Sequence, residues 1–274
     1  MGNGEGFTEI SLRDLGPKPR GQMITPAWQY LKAANSSVQG IFDGLSVLRR
    51  ARAEAREEFR GRLGTDEQNL LRAALVFTFS GLDACCKRLV RDTATALIKG
   101  NADAARKFDE YLAHELAVGP SDPVAAAIRN KTPRDELIKL YVAARTKASM
   151  QGSEDLRKRV RDTLGIPNAK VSKQRLALLD PFFTARNDIV HDMDYEDPSG
   201  TSTKRHTRAP FRGTRSGLCW RTGSALIGYP FRLLQVCRAA DSGWSVRRTD
   251  HPTQRGFTNA MRPTADAAWR TGRP

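Results

Sequence analysis

The chain has 274 residues, of which 39% are hydrophobic and 27% are charged, enough apolar material for one large domain or two small ones. Residues 201–274 carry 14 Lys and Arg against 3 acidic side chains, a net charge of +11, whereas residues 1–200 carry 31 against 27, a net charge of +4. A nearly neutral main part with no evident helix-turn-helix disfavours a DNA-binding regulator. Because the sequence has no run of eighteen apolar residues and no leader-like start, neither a transmembrane helix nor a secretory signal is expected.

The first residues, 1–34, contain several Gly and Pro and are weakly patterned, so we predict an N-terminal arm with a short element near Trp28 and Tyr30. Beyond this region apolar side chains recur at helical spacing, with interruptions that contain capping residues. We therefore predict a folded helical domain over residues 35–197.

The longest apolar segment follows Thr65 and Gln68, which form a capping-box pattern. The segment is apolar on most sides, which is typical of a helix at the centre of a bundle. No strand alternation and no internal repeat occur before residue 200. The sequence therefore predicts an all-α fold, an up-and-down bundle of about five or six helices. Further helix starts are indicated by Asn101, Thr132, Ser153 and Asp180.

The last segment, residues 198–274, differs in character from the rest of the chain. From residue 201 onward it contains thirteen Arg but one Lys, no Glu and three of the four Trp. It is either a basic, largely disordered tail that contacts acidic partners, or the product of a shifted reading frame in a GC-rich gene. The second interpretation accounts better for Arg without Lys, and an uninterrupted frame on resequencing would exclude it. In both cases we predict a poorly structured C-terminal tail.

The segment FFTARNDIVHDMD, residues 182–194, has an amphipathic helical pattern with one unexpected charge. On a helical wheel at about 100° per residue, Phe182, Ile189 and Met193 form a narrow apolar stripe. Arg186 falls near the middle of that stripe. The pattern therefore predicts an arginine on the apolar face of this helix.

A guanidinium in such a place needs a partner, because burying it unpaired costs several kcal/mol. Asn187 and His191 are four residues apart and share one margin of the same face. Two interpretations of Arg186 stay open. A carboxylate from another helix receives it, or it faces a wet cleft or a subunit interface that admits a phosphate.

The run Arg186-Asn187-Asp188-Ile189-Val190-His191 resembles the signature of the HEPN superfamily, named for the higher eukaryotes and prokaryotes nucleotide-binding domain. In that signature Arg and His are separated by a few residues, and the position after Arg is typically Asn, Asp or His. The early helix LLRAALVFTFSGLDACCKRLV is also similar to the opening helix of HEPN proteins associated with bacterial ribonuclease and defence genes. The resemblance covers roughly residues 65–197.

This resemblance implies a metal-independent endoribonuclease of the toxin or phage-defence type, with no cofactor and no metal. It implies RNA as the substrate, a homodimer in which two copies of the motif form one composite site, and an antitoxin as a candidate partner. Independently of the resemblance, four cysteines without metal-ligand spacing favour a protein of the reducing cytoplasm, and the lack of a long apolar run predicts no membrane attachment. The implied catalytic residues are Arg186, Asn187 and His191.

The chemistry of these residue types suits RNA cleavage without a metal. The neighbouring 2′-hydroxyl is the nucleophile, and His191 is the base, since histidine is the side chain whose ordinary titration lies nearest neutral pH. Arg186 offers a permanently charged fork to the phosphoryl oxygens, and Asn187 orients His191 or the phosphate. The expected products carry a 2′,3′-cyclic phosphate and a 5′-hydroxyl. Because Arg186 and His191 diverge by about 140° around one helix, a site shared by two helices across a two-fold axis is favoured.

Two departures from the superfamily pattern leave an alternative open. Some toxin members carry a tyrosine two residues beyond the histidine, where a partner modifies it; here that position is Met193, and the next tyrosine is Tyr195. If residues 201–274 come from a shifted frame, the final helix that often follows the motif is missing. The alternative function is therefore a non-catalytic helical module of the same fold that binds nucleic acid or a partner protein.

Overall fold

A hairpin of two long helices, α1 (Thr25–Arg56) and α2 (Thr65–Gly100), forms the frame on which the other helices pack. The computed structural model describes residues 11–12, 14–56, 63–196 and 204–205. All of these belong to the first of the two units into which the chain divides, Met1–Gly243 and Trp244–Pro274.

Shorter helices follow α2 in chain order. Helices account for 73% of the described part of the chain, and the only strand-like feature there is an isolated bridge between Tyr195 and Arg205. The prediction of an all-α helical bundle is therefore confirmed. These shorter helices are α3 (Ala102–Val118), α4 (Asp122–Ile128), α5 (Pro133–Thr146), α6 (Ser153–Asp155), α7 (Lys173–Ala177) and α8 (Asp180–Asp192). A π-helical turn, Leu156–Arg161, continues α6.

The central element of the bundle is α2, which packs against α1, α3, α5 and α8. By length and composition α2 is also apolar enough to cross a membrane, and close to half of its most apolar stretch is buried inside the protein. Packing in the core accounts for this apolar character. Its largest buried apolar side chains are Leu71, Phe79, Leu82, Leu89, Val90 and Ile98.

The hairpin is closely packed where α1 passes Gly81. A Cβ at this position would stand 2.1 Å from the Cβ of Ala34, which is far inside van der Waals contact. Glycine is thus required by the spacing of the two helices rather than by backbone conformation. By contrast, a Cβ added at Gly40 or Gly44 would have no neighbour within 4 Å.

The predicted N-terminal arm, residues 1–34, extends too far into the chain, because α1 begins at Thr25. Pro26 is tolerated in the first turn of α1, where the missing N–H has no helical acceptor. The Gly and Pro before this start conceal the helical spacing of the apolar residues, which anchor the region to the main core. Those buried residues are Leu15, Ile24, Ala27, Trp28 and Leu31.

Some of the predicted capping residues are displaced by one position. The N-cap of α2 is Gly64 rather than Thr65, and the carboxylate of Glu67 accepts a hydrogen bond from the Gly64 N–H. The N-cap of α6 is Gly152 rather than Ser153. At α3 the prediction is confirmed, because Oδ1 of Asn101 accepts from the Ala104 N–H at 3.0 Å.

The turn after α8 is held by a buried ion pair. Asp194 has a left-handed backbone with φ of 63°, and its side chain is fully buried. Its carboxylate accepts a hydrogen bond at 2.9 Å from Nε of Arg72, whose side chain is 9% exposed. Nη1 of Arg72 also donates to Oδ1 of Asn69 at 3.1 Å. The chain two residues past the end of α8 is thereby tied to α2.

Of the predicted tail, residues 198–274, the structure describes Lys204 and Arg205 only. The Glu196 N–H donates to the Lys204 carbonyl at 2.9 Å, and the Arg205 guanidinium lies 5.1 Å from the centroid of the Tyr195 ring. These two residues therefore contact the bundle. The remainder of the predicted tail, and with it the question of a shifted frame, lies outside the described residues.

We expect Asp194→Ala to lower the free energy of unfolding by about 3 kcal/mol or more, because it leaves the buried Arg72 without this carboxylate and removes a side chain that tolerates a left-handed backbone. The measurement is urea denaturation of the full chain. Asp192→Ala is the matched control, because Asp192 is exposed in the last turn of α8, and we expect it to stay within about 0.5 kcal/mol of wild type. If both variants lost the same amount of unfolding free energy, the ion pair between Arg72 and Asp194 would not be what stabilises this turn.

Candidate functional site

The helix that carries the predicted site, α8, is anchored along its length. Asp180, predicted as its N-cap, instead binds the start of α6: its two carboxylate oxygens accept hydrogen bonds from the N–H and the Oγ of Ser153, both at 2.9 Å. In the middle of α8, the centroid of the Phe183 ring lies 4.7 Å from the centroid of the Phe79 ring on α2. Beyond the C-terminal end, Asp194 binds Arg72. These contacts fix the rotation of α8 about its own axis.

The predicted apolar stripe of α8 is buried only in part. Phe183 is 2% exposed, whereas Val190 and Met193 are 44% and 58% exposed. Phe182, Arg186 and Ile189 are half-buried, so the stripe on which the wheel places Arg186 lies at the edge of the core, and Met193 at its end is exposed. The wheel alone does not show where along α8 the burial ends, which depends on contacts such as that of Phe183 with Phe79.

The predicted site residues continue the buried row of α8 beyond the edge of the core. Leu179, Phe183, Asn187 and His191 follow one another at intervals of four residues, so they lie on one helical face. Leu179 and Phe183 are buried, Asn187 is half-buried and His191 is exposed. This face therefore runs from the core to the surface, and its polar half carries two of the three predicted site residues, Asn187 and His191.

Arg186 is half-buried at this edge and is held by neutral groups. Its Nη1 donates to Oδ1 of Asn187 at 2.9 Å and to Oε1 of Gln151 at 3.3 Å. Nδ2 of Asn187 donates to the Gln151 backbone carbonyl, also at 3.3 Å. Among the described residues Arg186 has no carboxylate partner, so the ion pair considered in the sequence analysis is not observed there.

Sequence reasoning missed Gln151. It lies 35 residues before Arg186, in the loop between α5 and α6, and a single glutamine among Ser, Met and Gly has no pattern that signals a role. Only the fold brings it to α8, since Asp180 and Ser153 join the starts of α6 and α8. The site therefore consists of Arg186 and Asn187 with Gln151 as an additional residue.

His191 stands apart from Arg186 within one chain. The five residues between them correspond to a rise of about 7.5 Å and a rotation of about 140°. His191 is exposed, and within the described part of the chain its imidazole makes no hydrogen bond or ion pair. Its neighbours Val190 and Met193 are exposed apolar side chains. One copy of α8 thus presents the arginine and the histidine on different sides.

The ion pairs next to the site belong to α6 and its π-helical continuation. A hydrogen bond from Arg157, with a second from Lys158, lowers the pKa of Glu154 to about 2. Arg157 also donates to Asp162 at 2.8 Å. These pairs hold the π-helical turn together, so the displaced pKa of Glu154 has a structural cause. The residues described contain no group of three or more His, Cys, Asp or Glu side chains that would hold a metal ion.

We expect Arg186→Ala to change the free energy of unfolding by less than about 1 kcal/mol, because its partners are neutral and close to solvent. Urea denaturation of this variant beside Asp194→Ala provides the comparison. A loss as large as that of Asp194→Ala would mean that the guanidinium is a structural element of the core.

Comparison of the chain with protein-family models, with curated proteins and with solved structures finds no match. The resemblance of residues 65–197 to the HEPN superfamily therefore depends on the motif in α8 and the apolar helix α2. It stays a prediction from the sequence.

Proposed function

We propose that the chain is a metal-independent endoribonuclease of the toxin or phage-defence type, which cleaves RNA at a composite site made by two copies of α8. The observation that carries the proposal is the environment of Arg186. Its guanidinium is held at the edge of the core by the neutral groups of Asn187 and Gln151 and not by a carboxylate of the described residues. A cation held in this way keeps its charge available for a phosphate.

In this proposal Arg186 binds the phosphoryl oxygens and stabilises the negative charge that grows on them during cleavage. His191 removes the proton from the 2′-hydroxyl, and its exposure leaves it accessible to RNA. Asn187 orients Arg186, to which its Oδ1 is already hydrogen-bonded. The 2′-oxygen attacks phosphorus as the bond to the 5′-oxygen breaks, and the departing 5′-oxygen takes a proton from solvent, which leaves a 2′,3′-cyclic phosphate and a 5′-hydroxyl.

A homodimer explains how residues on different sides of one helix act on one phosphate. Two copies of α8 that cross near a two-fold axis supply Arg186 from one protomer beside His191 from its partner. Val190 and Met193, both exposed next to His191, provide apolar surface for this contact. A cytoplasmic location, the absence of membrane attachment and control by an antitoxin are further parts of the proposal.

The second candidate function is a non-catalytic module of the same fold that binds RNA or a protein. The observation in its favour is the separation of His191 from Arg186 in a single chain. Such a module needs Arg186 for binding but has no need of a base. The effect of removing the imidazole therefore distinguishes the two functions.

We expect Arg186→Ala and His191→Ala each to reduce the cleavage of single-stranded RNA at least about 100-fold, because each removes a charge-stabilising or proton-transferring group. The measurement uses the purified full chain with excess EDTA and identifies cyclic phosphate ends on the products. Circular dichroism should stay unchanged. Asp192→Ala, next to His191 on the exposed side of α8, is the matched control and should cleave like wild type.

If His191→Ala cleaves RNA as fast as wild type, the ribonuclease proposal is wrong. If Arg186→Ala loses RNA binding while no variant and no wild-type preparation cleaves, the non-catalytic module is the correct function.

Mixing the two inactive variants tests the composite site. We expect a mixture of Arg186→Ala and His191→Ala protomers to regain part of the wild-type rate, because a mixed dimer still has one arginine and one histidine. The measurement is the cleavage rate after the two variants have exchanged subunits. Fluorescence energy transfer between labelled protomers shows that the exchange has taken place. Demonstrated exchange without any recovery of activity would contradict a site shared between chains.

A further inference from the structure

Gln151 belongs to a loop, residues 147–152, that is fixed to the bundle from several directions. Arg159, in the π-helical turn, donates from Nε to the Arg145 carbonyl at 2.9 Å and from Nη1 to the Ser149 carbonyl at 3.0 Å. Its Nη2 donates to the Ala148 carbonyl. One guanidinium therefore closes the end of α5 and holds the start of the loop.

The second half of the 147–152 loop is held by carboxylates. Oδ1 of Asp83 on α2 accepts from the Met150 N–H, and Oδ2 of Asp155 accepts from the Gln151 N–H, both at 2.8 Å. The Met150 side chain is 4% exposed and lies in the main core. The backbone of Gln151 is thus fixed on both sides, although its side chain is exposed. The fixed backbone gives the Gln151 side chain a defined starting point beside α8.

The exposed amide of Gln151 is used to hold Arg186. Its Oε1 accepts from Nη1 of Arg186, and its backbone carbonyl accepts from Asn187, so the three residues form a closed set of hydrogen bonds. Within the part of the chain that the structure describes, Nε and Nη2 of Arg186 have no partner. These two nitrogens form the edge of the guanidinium that binds a phosphate through two parallel hydrogen bonds.

We propose that Gln151 is the positioning residue of the RNA site, which holds Arg186 by Nη1 so that the Nε–Nη2 edge faces the substrate phosphate. This inference rests on the proposed function. The neutral amide is essential to it, because a carboxylate in the same place would orient the guanidinium equally well but would neutralise its charge. Glutamine at position 151 supplies orientation without competition for the phosphate.

The experiment compares Gln151→Ala and Gln151→Glu in the full chain. It measures the cleavage of single-stranded RNA and the affinity for the same RNA with 2′-O-methyl groups, which lacks the nucleophile. Gln174→Ala is the matched control, because Gln174 is an exposed glutamine on α7 outside this set of hydrogen bonds. We expect Gln151→Ala to lower kcat/KM roughly tenfold, as loss of a hydrogen bond to a charged group does. We expect Gln151→Glu to lower it further, and Gln174→Ala to match wild type.

The Gln151→Glu variant separates positioning from folding, because glutamate has the shape of glutamine and should leave thermal unfolding unchanged. If Gln151→Glu binds and cleaves like wild type, the inference is wrong while the ribonuclease function stands. If wild type binds the methylated RNA but cleaves no RNA, the proposed catalysis is wrong, and the affinities of the two Gln151 variants still decide the inference. A wild-type protein that neither binds nor cleaves RNA overturns both.

Discussion

The ion pair between Arg72 and Asp194 is the interaction on which the candidate site depends. It joins the middle of the bundle to the turn that ends α8, and it is buried, so removing one charge leaves the other in a medium that solvates it poorly. Together with the contact of Phe183 with Phe79 and the bond of Asp180 to Ser153, it leaves α8 one orientation on α2. The exposure of His191 and the half-burial of Arg186 are consequences of that orientation.

The partners of Arg186 differ from those of three other buried or half-buried arginines, Arg72, Arg161 and Arg159. Arg72 and Arg161 are bound to carboxylates, at 2.9 Å and 2.8 Å. Arg159 is bound to three backbone carbonyls and closes the end of a helix. Arg186 is bound to two side-chain amides at the edge of the core, which orient a cation but do not compensate its charge. This difference in partners is the physical basis for assigning it a ligand.

The helical class and the central place of α2 could be predicted from the sequence. One long segment has apolar side chains at helical spacing on most of its sides, and few structures other than a central helix accommodate such a pattern. The cap at Asn101 could be predicted for a similar reason, since its side chain acts on a backbone N–H three residues away. What failed depends on distant partners. The extent to which α8 is buried depends on its contact with Phe79. The role of Gln151 depends on Arg186, 35 residues later in the chain, and the start of α1 depends on the burial of Trp28. None of these has a signal within its own segment.

Asn69 on α2 binds the C-terminal end of the described chain. Its Oδ1 accepts hydrogen bonds from both Arg72 and Arg205, at 3.1 Å and 3.2 Å. The contact of Arg205 and the guanidinium that holds Asp194 therefore share one acceptor, so the place where the chain returns to the bundle and the turn that ends α8 are fixed at the same point of α2.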